Sequence, residues 1–212
     1  MYMSRVELDV NNRRKIRDLS HAGAYHSWVE SSFPDELANG TRSRKLWRLD
    51  NIQGRRYLIL VSPDKPDLTA LEKYGVSGSA VTKDYDPFLD SIHSDRLYQF
   101  RAVLNPVHSV CASDGKRGRV FPEVTAAQQL EYFRKRSATN GFELIPGKYE
   151  IKERKYVTLN KAGQKPLRLC QCAYEGILKV SDEDRFKYAL CHGIGRKKAY
   201  GFGLMTVIPI DE

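Results

Sequence analysis

The chain has 212 residues, 41% of them hydrophobic, and its 35 lysines and arginines outnumber its 26 aspartates and glutamates to leave a formal net charge of +9. That apolar fraction can fill the core of one domain or of two small ones, and the charge favours a polyanionic partner. With no run of about 18 apolar residues and no basic amphipathic helix, the sequence reads against a membrane partner, and Arg5, Glu7 and Asp9 read against a signal peptide.

Residues 2–9 alternate Val6 and Leu8 with Arg5, Glu7 and Asp9, the period of a strand. After a basic, polar connector from Asn11 to Arg17, the spacing predicts a helix from about Ser20 to Phe33. Tyr25, Trp28, Val29 and Ser32 fall on its buried stripe and His26 at the rim, and Pro34 and Gly40 bound the next segment. Strands from Lys45 to Asp50 and from Arg55 to Ser62 flank the turn Asn51-Ile52-Gln53-Gly54. A short helix, Asp67 to Tyr74, and a weak strand, Val81 to Tyr85, complete β-α-β-β-α-β, the split βαβ unit of the ferredoxin-like fold.

A polar link, Asp86 to Asp95, precedes a second round of the same order. A strong strand runs from Leu97 to Leu104, and Ser113 to Gly118 read as a Gly- and Lys-rich hairpin. Thr125 and Gln128 form a capping box for a helix that presents Leu130 and Phe133 inward and stops at Asn140-Gly141. Strands are expected at Phe142 to Tyr149, Arg154 to Leu159 and Leu167 to Val180. A helix capped by Ser181 then buries Phe186, Ala189 and Leu190, and a closing strand spans Leu204 to Ile208. The expected fold is therefore α+β, two tandem ferredoxin-like domains covering residues 1–90 and 91–212.

Cys111, Cys170, Cys172 and Cys191 make no zinc spacing. Cys170 and Cys172 alternate along a strand, on one face with Tyr174 and Leu178, so they read as buried thiols serving as small hydrophobes. A cytoplasmic chain fits that usage.

Near the C-terminus, Gly193-Ile194-Gly195-Arg196-Lys197-Lys198-Ala199-Tyr200-Gly201-Phe202-Gly203-Leu204 interleaves four glycines with three consecutive cations. Such a loop can bring backbone N–H groups and positive charge to a phosphate. It lacks the spacing of a P-loop or of a dinucleotide fingerprint. The plain alternative is a Gly-rich turn before the last strand.

The pattern G-x-G-x-x-K-x-x-G-x-G-L, filled by Gly193, Gly195, Lys198, Gly201, Gly203 and Leu204, resembles the glycine-rich loop of CRISPR repeat-processing endoribonucleases of the CasE type, from type I-E systems. The opening Met1 to Leu8, the segment Arg101 to Pro106 of the form R-x-x-x-N-P, and Glu175-Gly176-Ile177-Leu178 resemble further anchors of that family, in its order. The resemblance implies the same tandem fold and a metal-independent endoribonuclease, without a cofactor, that cuts a CRISPR repeat hairpin. Attack by a 2′-OH would leave a 2′,3′-cyclic phosphate and a 5′-OH. It further implies retention of the product and partnership with other subunits of a CRISPR effector complex, with no DNA contact expected of the isolated chain. The alternative is a non-catalytic subunit that binds the hairpin.

Metal-free RNA cleavage needs a base, an acid and cations, and histidine titrates in the right range. His93 and His108 read as surface residues, and His192 as a cation at a helix C-terminus. His21 and His26 both fall on the first helix. The resemblance selects His26, which stands seven residues before Phe33-Pro34 as the family's catalytic histidine does. Some family members carry a tyrosine three residues before that histidine, where this chain has Gly23. Tyr25, about 100° further round the helix, and Lys161 are the other candidate catalytic groups. Arg134, Lys135 and Arg136, Lys165, the cations Arg196, Lys197 and Lys198 and the four loop glycines are the expected RNA contacts, with Arg117 and Arg119 as candidates for base contacts.

Overall fold

The computed structural model of the protein describes residues 1–111, 118–160 and 163–210. The chain opens with β1 (Tyr2–Glu7), α1 (Arg13–Ile16), α2 (Ala22–Ser31) and α3 (Pro34–Ala38), then runs through β2 (Leu46–Ile52), β3 (Arg55–Ser62), α4 (Leu68–Leu71), β4 (Val81–Asp84) and α5 (Asp86–Asp90). It continues with β5 (Leu97–Leu104), β6 (Val107–Val110), β7 (Arg119–Pro122), α6 (Ala126–Thr139), β8 (Phe142–Leu159), β9 (Leu167–Val180), α7 (Glu183–His192) and β10 (Met205–Pro209). Two four-stranded sheets result, ordered β2-β3-β1-β4 and β10-β5-β9-β8, antiparallel throughout. In each, the first and third strands of a β-α-β-β-α-β unit are central, which is the ferredoxin-like order expected from the sequence.

The first sheet is covered on both faces. Val6, Trp47, Leu58 and Leu60 pack against Trp28, Val29 and Phe33 of the α2 region. Leu46, Ile59 and Val61, on alternate positions and hence the opposite face, share a second buried cluster with Leu190, Cys191, Ile194 and Leu204. Both faces being buried is why residues 58–61 read as an unbroken apolar run. Between the sheets Arg48, 2% exposed, grips Asp50 through two bonds of 2.8 and 2.6 Å. It also donates to the Arg101 and Leu204 carbonyls and to the Thr206 hydroxyl. Arg101 in turn bonds Asp50 and Glu175. Two of the anchors that carry the family resemblance, Arg101 and Glu175, thus belong to this ion network.

Several local expectations need correction. The connector holds the short α1, capped by Asn12, and the polar link holds α5, started by Asp86-Pro87. The two strands expected in 142–159 are one, β8, because register shifts between Leu144 and Tyr149 and between Ile151 and Glu153 absorb the irregularity without ending the pairing to β9. Asp182 rather than Ser181 caps α7, its carboxylate accepting from Arg185 N at 3.0 Å. Cys170 and Cys172 are buried as expected, Cys191 is buried too, and Cys111 is exposed. The hairpin expected at 113–118 lies outside the described residues except for Gly118. Its flanks β6 and β7 pair as a two-stranded ribbon.

Candidate functional site

His21 caps α2 from an extended conformation, its Nδ1 accepting from Gly23 N at 3.0 Å. It is therefore occupied at the helix start. From there the helix turns Trp28 and Val29 into the core and lays Tyr25 on the Trp47 ring, centroids 5.6 Å apart and 24° from parallel. Burial raises the Tyr25 phenol above its ordinary value. His26, next round the helix, is half-buried with 26% of its side chain exposed. The Tyr200 ring meets it edge-on at 5.3 Å, and its Nδ1 lies 3.8 Å from Glu30 Oε1. Burial holds the imidazole below its ordinary value; Glu30 opposes that shift, while Arg42 and Lys45 add to it.

Tyr25 and His26 thus face different neighbours, and the aromatic group against His26 is Tyr200. Gly23 shows why no tyrosine stands three residues ahead: a Cβ there would lie 2.9 Å from the His21 ring and 3.2 Å from the Asn160 carbonyl. The missing side chain makes room for the end of β8. Neither Tyr200 nor Glu30 was singled out from the sequence. The i, i+4 spacing of His26 and Glu30 was a visible signal, but no local pattern links residue 26 to residue 200.

The short 3-10 turn Lys198–Tyr200 within the glycine-rich loop brings Tyr200 to this place. All four expected glycines have positive φ, from 75° to 91°. Their close neighbours are protein atoms: a Cβ at Gly201 would meet the Trp47 ring at 2.7 Å, and one at Gly195 the Tyr132 hydroxyl at 2.7 Å. Trp47 Nε1 donates to the Ala199 carbonyl at 3.0 Å, and Gly203 N to the Val103 carbonyl at 2.7 Å. The glycines therefore dock the loop onto β2, α6 and β5. Arg196 is exposed and donates to Ser109 Oγ at 2.8 Å. Lys197 takes a left-handed conformation at φ 65°, and burial, with Arg44 nearby, holds the Lys198 ammonium below its ordinary value.

A cleft of about 370 Å³ lies beside Tyr200, lined among others by His21, Tyr25, Trp47, Lys155 and Gly201. A second, of about 420 Å³, brings Lys135, Arg136 and Arg196 together with His108, Glu123 and Tyr132. The basic run of α6 divides here. Arg136 stacks on the Tyr132 ring at 3.5 Å, whereas Arg134 bonds Glu131 at 2.6 and 2.7 Å and does not line the cleft. His108 has a carboxylate neighbour the sequence did not reveal, Glu123 at 3.1 Å, and exposed His93 has Glu183 at 3.8 Å. His192 stacks on Tyr188 at 3.9 Å. Lys165 and Arg119 are exposed, and Lys161 and Arg117 lie outside the described residues.

A family model described as "CRISPR associated protein" matches residues 1–209. The CRISPR-associated endoribonuclease Cse3 of Thermus thermophilus is 27% identical over 220 residues, spanning 99% of this chain and all of that protein. A solved structure of CRISPR endoribonuclease Cse3 bound to 19 nt RNA matches with a TM-score of 0.83 and 26% identity, over 99% of this chain and 100% of that one. A chain of a CRISPR RNA-guided surveillance complex in a pre-nicking state shares the fold at a TM-score of 0.71 and 21% identity, with 99% and 100% covered.

Proposed function

The chain belongs to the CRISPR-associated protein family, and from that premise we infer that it is an endoribonuclease that binds the repeat hairpin of CRISPR precursor RNA and cleaves it without a metal cofactor. The observation that carries this reading is His26, a half-buried imidazole on α2 flanked by Tyr200 and ringed by Arg42, Lys45 and Glu30, in a chain that matches an RNA-bound endoribonuclease along its whole length.

Burial that favours the neutral imidazole leaves His26 able to take a proton near neutral pH and to return one. As base it would accept the proton of the 2′-OH next to the scissile phosphate; as acid it would protonate the departing 5′ oxygen. The hydroxyl oxygen then bonds to phosphorus as the P–O5′ bond breaks, giving a 2′,3′-cyclic phosphate and a 5′-OH. Charge on the equatorial oxygens calls for cations, and Lys198 is the nearest of the loop's three in sequence to Tyr200. Lys135, Arg136 and Arg196, gathered in one cleft, suit the phosphates of the stem. Retention of the cut hairpin, assembly with other subunits of an RNA-guided complex and a cytoplasmic location complete the reading.

The test is single-turnover cleavage of a repeat hairpin in EDTA. His26→Ala is expected to lose about 10²–10⁴-fold in rate while binding the hairpin nearly as tightly as wild type, and His21→Ala far less. A deoxyribose 5′ of the cut should abolish cleavage and spare binding. Normal cleavage by His26→Ala, or arrest of the wild type by EDTA, overturns the reading; tight binding by a wild type that never cleaves would make the chain a hairpin-binding subunit instead.

A further inference from the structure

We propose that Glu30 is a positioning residue for His26, and that the buried Lys45 sets how strongly it acts. The proposal rests on the reading of His26 as the proton-transfer group. Residues four apart on a helix share a face, and here that face brings one Glu30 oxygen to 3.8 Å from His26 Nδ1 and the other to 3.7 Å from Lys45 Nζ. Glu30 is itself only 16% exposed. One carboxylate thus stands between an imidazole and an ammonium.

Lys45 accounts for the arrangement. Its side chain is 1% exposed, and a charge so far from water has to be matched nearby. Glu36 matches it at 2.5 Å, the Phe33 ring lies 4.6 Å from the ammonium, and Ser43 donates to both Glu36 oxygens, its N–H to Oε2 and its hydroxyl to Oε1. Lys45 is therefore already paired, and Glu30 is a second carboxylate beside it with charge to spare for His26. At 3.8 Å the contact to His26 is ionic rather than a hydrogen bond. It acts through charge and by turning Nδ1 toward the carboxylate, which leaves Nε2 for the substrate. The other groups facing His26 are Arg42, from the segment after α3, and the Tyr200 ring, from the glycine-rich loop. Neither supplies a negative charge, so Glu30 alone among these neighbours favours the imidazolium.

The experiment is an NMR titration of the His26 imidazole in the full chain without RNA, alongside the pH dependence of single-turnover cleavage in EDTA. Glu30→Gln keeps the Lys45–Glu36 pair and should titrate His26 at lower pH than wild type. Lys45→Met removes an opposing cation and should move the titration the other way. Glu30→Asp, which keeps the charge, should restore most of the wild-type curve. The corresponding limb of the pH–rate profile should move in the same sense in each variant, a readout that a merely structural residue would leave in place. Coincident titrations of wild type and Glu30→Gln overturn the role of Glu30, whatever the rates do and whether or not Lys45→Met folds. A normal cleavage rate for His26→Ala overturns instead the reading of His26 on which the proposal stands.

Discussion

The α2 site and the α6 cleft both collect charge, and they handle it in opposite ways. Around His26 the charges are interleaved by sign and largely withdrawn from water: Glu30 between His26 and Lys45, Lys45 between Glu30 and Glu36. On the α6 side Arg134, Lys135 and Arg196 are exposed, Arg136 is half-buried on the Tyr132 ring, and the pairings are surface ones, Arg134 and Lys135 sharing Glu131 while Arg196 bonds a neutral hydroxyl. Buried charge of alternating sign tunes where one side chain takes up and gives back a proton, whereas exposed cations attract a long polyanion at little cost in desolvation. The first arrangement suits proton transfer and the second suits holding RNA.

The glycine-rich loop joins the two regions, Gly201 lying on Trp47 beside the first and Gly195 on Tyr132 beside the second. Its removal from either contact should have the largest effect on stability. Gly201→Val combines a positive φ with a 2.7 Å clash against an indole ring, so thermal or urea unfolding should show a loss of about 2–4 kcal/mol. Gly40→Ala, at a positive φ with open space around it, should cost only about 1 kcal/mol. Equal losses for the two would mean that backbone conformation, and not docking onto Trp47, is what the loop glycines supply.

Salt titration separates the exposed cations more finely. If Arg196 contacts a phosphate, Arg196→Ala should flatten the slope of log affinity against log salt by about 0.7–0.9. Arg134→Ala should change it less, because Arg134 is held by Glu131 and does not line the cleft, so fewer phosphate contacts are lost with it. A larger change for Arg134 than for Arg196 would relocate the RNA path from the cleft to the outer face of α6.

Much of this organisation was legible because it is local. The period-2 and period-3.6 apolar patterns, the capping box at Thr125 and the stop at Gly141 each depend on a few neighbouring residues, and together they yield both ferredoxin-like units. The continuation of β8 through Glu150 to Glu153 was hidden, since its 14-residue partner β9, not its own composition, keeps that stretch extended. The candidate site was half legible. His26 could be placed by resemblance, but Tyr200 reaches it from 174 positions away in the chain, and spacing says nothing about such a contact. The loop glycines were recognised as a backbone that something approaches closely. What approaches is Trp47 of the first unit and Tyr132 of the loop's own unit, contacts between residues far apart in the chain that only tertiary packing decides.

The smallest effect, and the one most particular to the buried region, is in the pH dependence of folding. The folded-state ionisation of His26 lies below its unfolded value of about 6.5, so between the two the unfolded chain binds the extra proton. Stability from this source is therefore complete above about pH 6.5 and is lost as pH falls through the folded value. Because His26 keeps a quarter of its side chain in water, the loss is discounted by solvent and should be modest. His26→Gln removes the titrating group, and its melting temperature should consequently fall less than that of wild type between pH 7 and pH 5. If His26→Gln loses as much stability on acidification as wild type does, the buried imidazole is not the group that couples folding to pH, and the carboxylates around Lys45 are the next to test.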